Sequence, residues 1–204
     1  IVKEVSPIGI VVQKERPGRE ADYLDVNLLA SVETTGSVTD PRNASYMKAE
    51  LTGSEDLLKV VGRYQRLTGN AFEIERGQLP QVSLDPSSHL APTPFINSDD
   101  TAIRAAIPKI VASKTRPVDK AGALMNWVHA NMRKAPAFSV PVASDVFRKR
   151  VGDCNEHAVL FAAMARAAGI PCAIASGMVF NDGHFYYHAW NIIFVDGRWT
   201  DVDA

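Results

Sequence analysis

From residue 152 the sequence reads Gly-Asp-Cys-Asn-Glu-His-Ala-Val-Leu-Phe-Ala-Ala-Met-Ala-Arg-Ala-Ala-Gly, and this run carries the strongest helix signal in the chain. Alanine, leucine and methionine are good helix formers, and Gly169 followed by Pro171 supplies a stop. We therefore predict a helix from Cys154 to Ala168. Positions three and four apart lie on one helix face, so Cys154 begins a stripe that continues through Ala158 and packs against a sheet.

Two turn signals divide the sequence after this helix into three extended segments. Asn181-Asp182-Gly183 and Asp196-Gly197 are residue combinations that favour tight hairpin turns. The segments that they separate, 173–180, 185–194 and 199–203, are short and apolar, as strands are. The sequence therefore predicts a helix followed by an antiparallel three-strand meander, which is an α+β arrangement.

Three residue types in this region fit thiol chemistry. A cysteine in the first turn of a helix meets unpaired backbone N–H groups and the positive end of the helix dipole, and both favour the thiolate of Cys154. His188 on the middle predicted strand is a candidate base for the thiol proton. A carboxylate on the next strand, Asp201 or Asp203, is a candidate to orient the imidazole. The residues alone leave both aspartates open.

Each of these residues also has a purely structural explanation. An unpaired cysteine is commonly a buried core residue, and we expect that role for Cys172 on the following strand. A zinc site at Cys154, His157, His184 and His188 is a further alternative, because the spacings resemble those of zinc ligands. That site would leave Asp203 without a role. We expect His157 to be a capping or surface residue.

Composition excludes few function classes. The chain has 204 residues, of which 46% are hydrophobic, enough for one domain of ordinary size. Its 22 basic and 23 acidic residues give a net charge of −1, so we expect neither nucleic acid nor an anionic membrane as partner. No apolar run approaches the roughly 20 residues that span a bilayer. Because the sequence begins at Ile1 without a methionine, we expect a processed piece and an extracytoplasmic (periplasmic or secreted) location.

We predict three divisions of the chain. Residues 1–80 have strand periodicity and form a β-rich N-terminal region, whose best hairpin turns at 68–70 and continues into Ala71 to Arg76. Residues 81–98 form a Pro/Ser-rich linker, expected to be an extended loop. Residues 99–204 form the core that carries the candidate site.

Two further helices are predicted at the start of that core. Asp99 and Asp100 stand where a helix start is favoured, although Pro108 should kink or split the helix that follows. The second helix runs from Pro117 to Met132, with proline at its first position.

The motifs together resemble the bacterial transglutaminase-like superfamily. The resemblance rests on 152–158, on 166–171, on His188-Ala189-Trp190 and on the run from Trp199 to Asp203, and it covers about residues 100–203. It implies a papain-like α+β core with the catalytic triad Cys154, His188 and Asp203, and neither a metal nor an organic cofactor. It prefers Asp203 to Asp201, because Asp203 aligns with the third residue of the family's triad. Ile192 stands where the family often has an acidic residue.

The resemblance implies a thiol-dependent enzyme that attacks an amide of a protein or peptide substrate. Cys154 would form a thioester, and water or an amine would resolve it, as in a cysteine protease, an amidase or a transamidase. The alternative is a catalytically inactive transglutaminase-like module for binding or assembly, because a fold does not by itself imply an activity.

Overall fold

A computed structural model describes residues 4–5, 11–12, 31–33, 36, 40, 43–50, 65–68, 71–75, 84–136, 140–181 and 183–204. The chain divides into two compact units, residues 1–44 with 177–188 and residues 45–176 with 189–204. In the smaller unit, β1 (Glu4–Val5) pairs with β2 (Val11–Val12), and β3 (Val32–Glu33) pairs antiparallel with the beginning of β10 (His184–Val195).

Four helices form the core of the larger unit: α1 (Thr101–Val111), α2 (Pro117–Asn131), α3 (Ala143–Lys149) and α4 (Cys154–Ala167). The predicted start of α1 is confirmed, because the Asp100 carboxylate accepts hydrogen bonds from the backbone N–H groups of Ala102 and Ile103 at 2.9 and 3.1 Å. The predicted start of α2 at Pro117 is also confirmed.

Pro108 does not split α1, contrary to expectation. The helix continues through Pro108 to Val111, and the cap residue Ala112 donates its backbone N–H to the Pro108 carbonyl oxygen at 3.1 Å. Pro108 is exposed and lies in the last turn of the helix. Water can therefore replace the single hydrogen bond that the missing N–H would have donated.

Helix α4 is the centre of the larger unit. All eleven residues from Glu156 to Arg166 are buried or nearly so, because α1, α2 and α3 pack against it as well as the sheet. The predicted stripe is therefore only part of a surface that is covered all round, as is typical of a central helix. Gly169, at φ 79°, ends the helix as predicted, and Ile170 donates its N–H to the Ala165 carbonyl oxygen at 2.9 Å.

The predicted meander follows α4. Strand β9 (Cys172–Asn181) pairs with β10, and β10 pairs antiparallel with β11 (Arg198–Val202), with Ile192 opposite Asp201. The second predicted turn is confirmed, because Asp196 and Gly197 have φ of 50° and 75°, as a two-residue hairpin turn with positive φ at both positions requires.

The two faces of this sheet have different neighbours within the larger unit. Ile193 packs in the helical core with Phe161 of α4, whereas Ile192 and Trp199 form a smaller cluster on the other face. The beginning of the segment 84–98 contacts that cluster: the Trp199 indole donates to the Leu84 carbonyl oxygen at 3.1 Å, and the His89 ring lies 5.5 Å from the Trp199 ring.

The predicted loop at 81–98 is irregular over its described part except for a single 3-10 turn, Pro86–His89. It is fastened to the core at several points. Arg166 of α4 donates to the Ala91 carbonyl oxygen at 2.7 Å, and Ala143 donates to that of Phe95 at 2.9 Å. The division of the chain at this loop stays a prediction.

The larger unit also has two smaller sheets. Strands β4 (Tyr46–Glu50), β5 (Gln65–Thr68) and β6 (Ala71–Glu75) form an antiparallel sheet, in which β5 pairs with β6 up to Thr68 and Ala71. Residues 69–70 of the predicted turn lie outside the described residues. Strands β7 (Arg133–Lys134) and β8 (Val151–Gly152) pair in parallel and lead into α4. Across the described residues, we find no helix with the length and apolarity that crossing a membrane requires.

Candidate active site

The Cys154 side chain is half-buried at the first residue of α4. Backbone hydrogen bonds from Ala189 on β10, from Asn155 and from Cys154 itself act on its thiol. The sulfur therefore lies where backbone amides at the start of α4 meet β10, a strand that has paired neighbours on both sides. Such amides stabilise negative charge on sulfur, and also on an oxyanion formed beside it.

The segment before Cys154 is fixed by a capping box. The Asp153 carboxylate accepts from the Asn155 N–H at 3.1 Å, while the Glu156 carboxylate accepts from the Asp153 N–H at 3.0 Å. Glu156 is buried, and its burial raises the pKa of its carboxyl group. The Asp-x-x-Glu spacing was the sequence signal for this box, which assigns Glu156 a definite structural role.

Gly152 is required by the same capping box. A Cβ at this position would overlap the Cβ and Cγ atoms of Glu156, so no larger residue fits without movement. The Gly152 carbonyl oxygen accepts a hydrogen bond from Ala135 at 3.0 Å, which ties the segment to β7. The backbone just before Cys154 is therefore held by Glu156 on one side and by Ala135 on the other.

Burial raises the pKa of the Cys154 thiol, and the neighbouring Asp153 carboxylate raises it further. Backbone hydrogen bonds, chiefly that from Ala189, lower the pKa but do not reverse the net shift. The predicted effect of the N–H groups at the helix start is present, but burial and Asp153 outweigh it. At neutral pH the side chain is a thiol, and nucleophilic attack requires a base.

Strand β10 is fixed against α4 by Asn191. Its side-chain amide is fully buried and donates to the Ala158 carbonyl oxygen at 2.9 Å, one helical turn beyond Cys154. Ala189, two residues earlier on the same strand, is also buried and meets the Cys154 thiol. The strand and the start of the helix are thus held in a fixed relation within the larger unit.

The other predicted site residues lie on β10 and just after β11. His188 is half-buried, directly precedes Ala189, and is the last residue assigned to the smaller unit. Asp203 is exposed and follows the end of β11. Asp201 accepts a hydrogen bond from the Trp190 indole at 3.3 Å. The joining of Cys154, His188 and Asp203 in one triad stays a prediction.

Two other candidates, Cys172 and His157, are buried in the fold. Cys172 is fully buried, as predicted, and burial raises the pKa of its thiol to about 12. His157 is buried rather than at the surface, and its Nδ1 lies 2.6 Å from the Asp153 carbonyl oxygen. Within the ranges that the structure describes, no three His, Cys, Asp or Glu side chains are grouped so as to bind a metal ion.

Comparison with curated proteins identifies two relatives that match part of this chain. Kyphoscoliosis peptidase of Mus musculus is 32% identical over 71 residues, which are 30% of this chain and 10% of the relative. The Homo sapiens protein of the same name is 32% identical over 69 residues, with the same two shares. This chain therefore spans about a tenth of the length of these relatives.

Two solved structures are similar to this chain to different degrees. A proposed cysteine protease from Cytophaga hutchinsonii superposes with a TM-score of 0.54 at 23% identity, over 65% of this chain and 50% of that one. The periplasmic domain of TgpA from Pseudomonas aeruginosa gives a TM-score of 0.48 at 19% identity, over 78% of this chain and 62% of that one. The first likeness supports the predicted papain-like α+β core.

The family is shown by the match to a sequence model. The model of the transglutaminase-like superfamily matches residues 104–204, which contain α4, the whole meander and every predicted triad residue. The family that was predicted from the motifs is confirmed: this chain belongs to the transglutaminase-like superfamily.

Proposed function

We propose that this protein is a thiol-dependent acyl-transfer enzyme that attacks an amide of a protein or peptide substrate. One observation carries the proposal: the half-buried Cys154 sulfur lies at the start of α4, with backbone hydrogen bonds from Ala189, Asn155 and Cys154 itself. Such an arrangement suits a nucleophile and an adjacent oxyanion site. Membership of the transglutaminase-like superfamily supports it.

The first half of the proposed reaction forms a thioester. His188 removes the thiol proton as the Cys154 sulfur attacks the carbonyl carbon of the amide. The resulting oxyanion accepts hydrogen bonds from backbone N–H groups at the helix start. The carbon–nitrogen bond then breaks, and His188 returns the proton to the departing amine. Asp203 holds the imidazole in the tautomer that both transfers need.

The second half releases the acyl group. His188 takes a proton from water or from an amine, which attacks the thioester carbonyl and expels the Cys154 sulfur. The sulfur regains a proton, and the product is a carboxylic acid or a new amide. No metal or organic cofactor takes part in these steps.

The raised pKa of Cys154 bears on the choice of mechanism. Because burial and Asp153 keep the sulfur protonated at neutral pH, a resting thiolate–imidazolium pair is not needed to explain the site. Proton removal during attack makes the base essential, and we therefore assign His188 to that step. The same raised pKa favours the second candidate, a noncatalytic module for binding or assembly, if no base reaches the thiol.

The test compares the two cysteines. We expect Cys154→Ala to reduce Cys-dependent amide hydrolysis and amine incorporation by about 10⁴-fold or more, because the nucleophile is lost. Substrates are glutamine-containing peptides, assayed with and without added amine, and products are measured by mass spectrometry. Cys172→Ala is the matched control, because Cys172 is fully buried and its thiol is not acidic.

Equal turnover by the native protein and Cys154→Ala would rule out the proposed mechanism. Turnover that is lost in both cysteine variants would indicate damage to the fold, which circular dichroism would detect. If acid products form with or without added amine, the enzyme is a hydrolase. New amides with added amine identify a transamidase. An extracytoplasmic location remains part of the proposal.

A further inference from the structure

An apolar groove of about 290 Å³ begins beside the candidate nucleophile. The loop at 93–96, the segment 140–141, the first turns of α4 and strand β9 form its walls, and all of them belong to the larger unit. Its lining residues are Thr93, Phe95, Ile96, Val140, Pro141, Asn155, Val159 and Ile174. None of these side chains is charged, so the groove is suited to an apolar group.

The apolar side chains of the groove are exposed to an unusual extent. Phe95, Val140 and Ile174 are 52%, 73% and 37% exposed, although the larger unit has an extensive core in which such residues are buried. Contiguous exposed apolar surface in a globular protein marks a site of interaction more often than scattered single residues do.

The residue that follows the candidate nucleophile lines the groove. Asn155 directly follows Cys154, and Val159 lies about one turn farther along α4 on the groove side. A substrate whose amide lies at the Cys154 sulfur would therefore carry its neighbouring side chain past Asn155 into the groove.

One wall of the groove, the loop at 93–96, is held in place by hydrogen bonds. Thr93 and Ile96 bond to each other twice, through backbone and side chain, at 3.0 Å in each case. Asn97 accepts from the Ser144 N–H at 3.0 Å, which fixes the loop to α3. A rigid apolar wall binds a ligand without a large ordering cost.

We propose that this groove is a specificity subsite that binds one aliphatic or aromatic side chain of the peptide substrate, next to the amide that Cys154 attacks. The inference rests on the proposed function. Its volume is near the lower end of the roughly 300–1,000 Å³ typical of small-molecule pockets, which suits a single side chain. Eight lining residues are far fewer than the roughly 20–30 a side of a standard protein interface, so a second folded copy is a poor fit.

The first experiment measures substrate preference. Peptides that carry leucine, phenylalanine, glycine or aspartate on either side of the reactive amide are compared by kcat/KM. We expect leucine or phenylalanine at one of these positions to exceed aspartate by at least about tenfold. Val140→Asp and Ile174→Asp should remove that preference. Leu90→Asp is the control, because Leu90 is similarly exposed at 38% on the same loop as Phe95 but does not line the groove.

The second experiment tests the groove without amide turnover. Chloroacetamides with N-benzyl, N-isobutyl or N-carboxymethyl groups alkylate Cys154, and their rates are divided by their rates with glutathione. We expect the benzyl and isobutyl reagents to exceed the carboxymethyl reagent by about tenfold in the native protein and in Leu90→Asp, and to lose that advantage in Val140→Asp and Ile174→Asp. Mass spectrometry locates the label, and iodoacetamide rates show whether each variant keeps its thiol reactive.

The outcomes separate the two proposals. Equal rates for apolar and charged reagents, or an apolar preference that survives both groove variants, would overturn the subsite. Turnover that depends on Cys154 without any side-chain preference would do the same while leaving the acyl-transfer function standing. An apolar labelling preference that needs Val140 and Ile174, in a protein without amide turnover, would support the groove as a binding site and overturn the proposed function.

Discussion

The two ends of the candidate site within the larger unit are built differently. At the nucleophile end, Cys154 is preceded by a capping box and a glycine that no larger residue can replace, and it is met by the backbone of a buried strand. At the other end, Asp203 is exposed and lies beyond the last strand. The backbone at the nucleophile end is thus held by buried contacts, whereas the Asp203 side chain at the carboxylate end is exposed.

Because of this difference, substitutions at the two ends should have different effects on folding and on chemistry. Changes near Cys154 should alter folding as well as chemistry, because the same buried contacts serve both. Changes at the exposed carboxylates should alter chemistry alone, since surface substitutions change stability little. The comparison therefore predicts which variants lose activity while remaining folded.

Apart from loss of the Cys154 sulfur itself, the largest expected effect is at the carboxylate end. We expect Asp203→Asn to lower kcat/KM for a substrate of the native enzyme by about 10³- to 10⁴-fold, because an amide cannot stabilise the imidazolium as a carboxylate does. The melting temperature should not change. Steady-state kinetics and thermal unfolding are the measurements.

Asp201→Asn is the matched control for this prediction, because the asparagine side-chain oxygen can still accept the hydrogen bond of Trp190. We expect its kcat/KM to stay within about twofold of the native value. If Asp201→Asn proved the more damaging of the two, the assignment of Asp203 as the orienting residue would be wrong.

A smaller effect, on stability, is expected at the nucleophile end. Gly152→Ala should lower the free energy of unfolding by about 1–3 kcal/mol, because its Cβ would overlap Glu156 and disturb the capping box. Gly122→Ala is the control, since a Cβ there has no neighbour within 4 Å and Gly122 lies inside α2. That variant should gain about 0.5–1 kcal/mol. Urea unfolding measures both, and a neutral Gly152→Ala would show that this segment can relax.

The smallest effect concerns the acidity of the nucleophile. The rate of Cys154 alkylation by iodoacetamide should rise with pH through a midpoint above that of a cysteine peptide, because burial and Asp153 raise the pKa of the thiol. Asp153→Asn removes a negative charge, so it should lower this midpoint and speed alkylation at neutral pH. Asp145→Asn serves as the control for general charge effects, because Asp145 is an exposed residue of α3.

A midpoint below that of the peptide would have a different meaning. It would show that a cation, such as a protonated His188, stabilises the thiolate before substrate binds. The nucleophile would then be a preformed ion pair, and proton removal during attack would not be needed.

Local signals were enough to predict most of the core. The alanine-rich run with its Gly169 stop gave α4 to within one residue at its C-terminal end, and Asp196-Gly197 gave the turn between β10 and β11. The spaced motifs gave the family. These features depend on residues close together in the sequence, where propensity and turn chemistry act directly.

Features that depend on distant contacts were not predicted. The groove joins Phe95 to Val140 and Ile174, which are far apart in the sequence, and no local pattern marks it. The net rise in the pKa of Cys154 was not predicted, because helix position is visible in a sequence and the extent of burial is not. The prediction that Pro108 splits α1 failed for a related reason. Water can replace the missing backbone hydrogen bond only because Pro108 is exposed, and exposure is not visible in the sequence.

The buried Arg166 has a practical consequence for dissecting this protein. Its guanidinium donates hydrogen bonds to the carbonyl oxygens of Cys172 and Ala91. Ala91 lies in the same loop as Leu84, whose carbonyl oxygen accepts the hydrogen bond of the Trp199 indole. A fragment that begins at residue 99, where the family motifs suggest a start, would lack the Ala91 and Leu84 carbonyl oxygens. The buried Arg166 guanidinium and Trp199 indole would each lose a hydrogen-bond acceptor. A minimal recombinant piece should therefore begin no later than residue 84, and failure of a shorter one would say nothing against its chemistry.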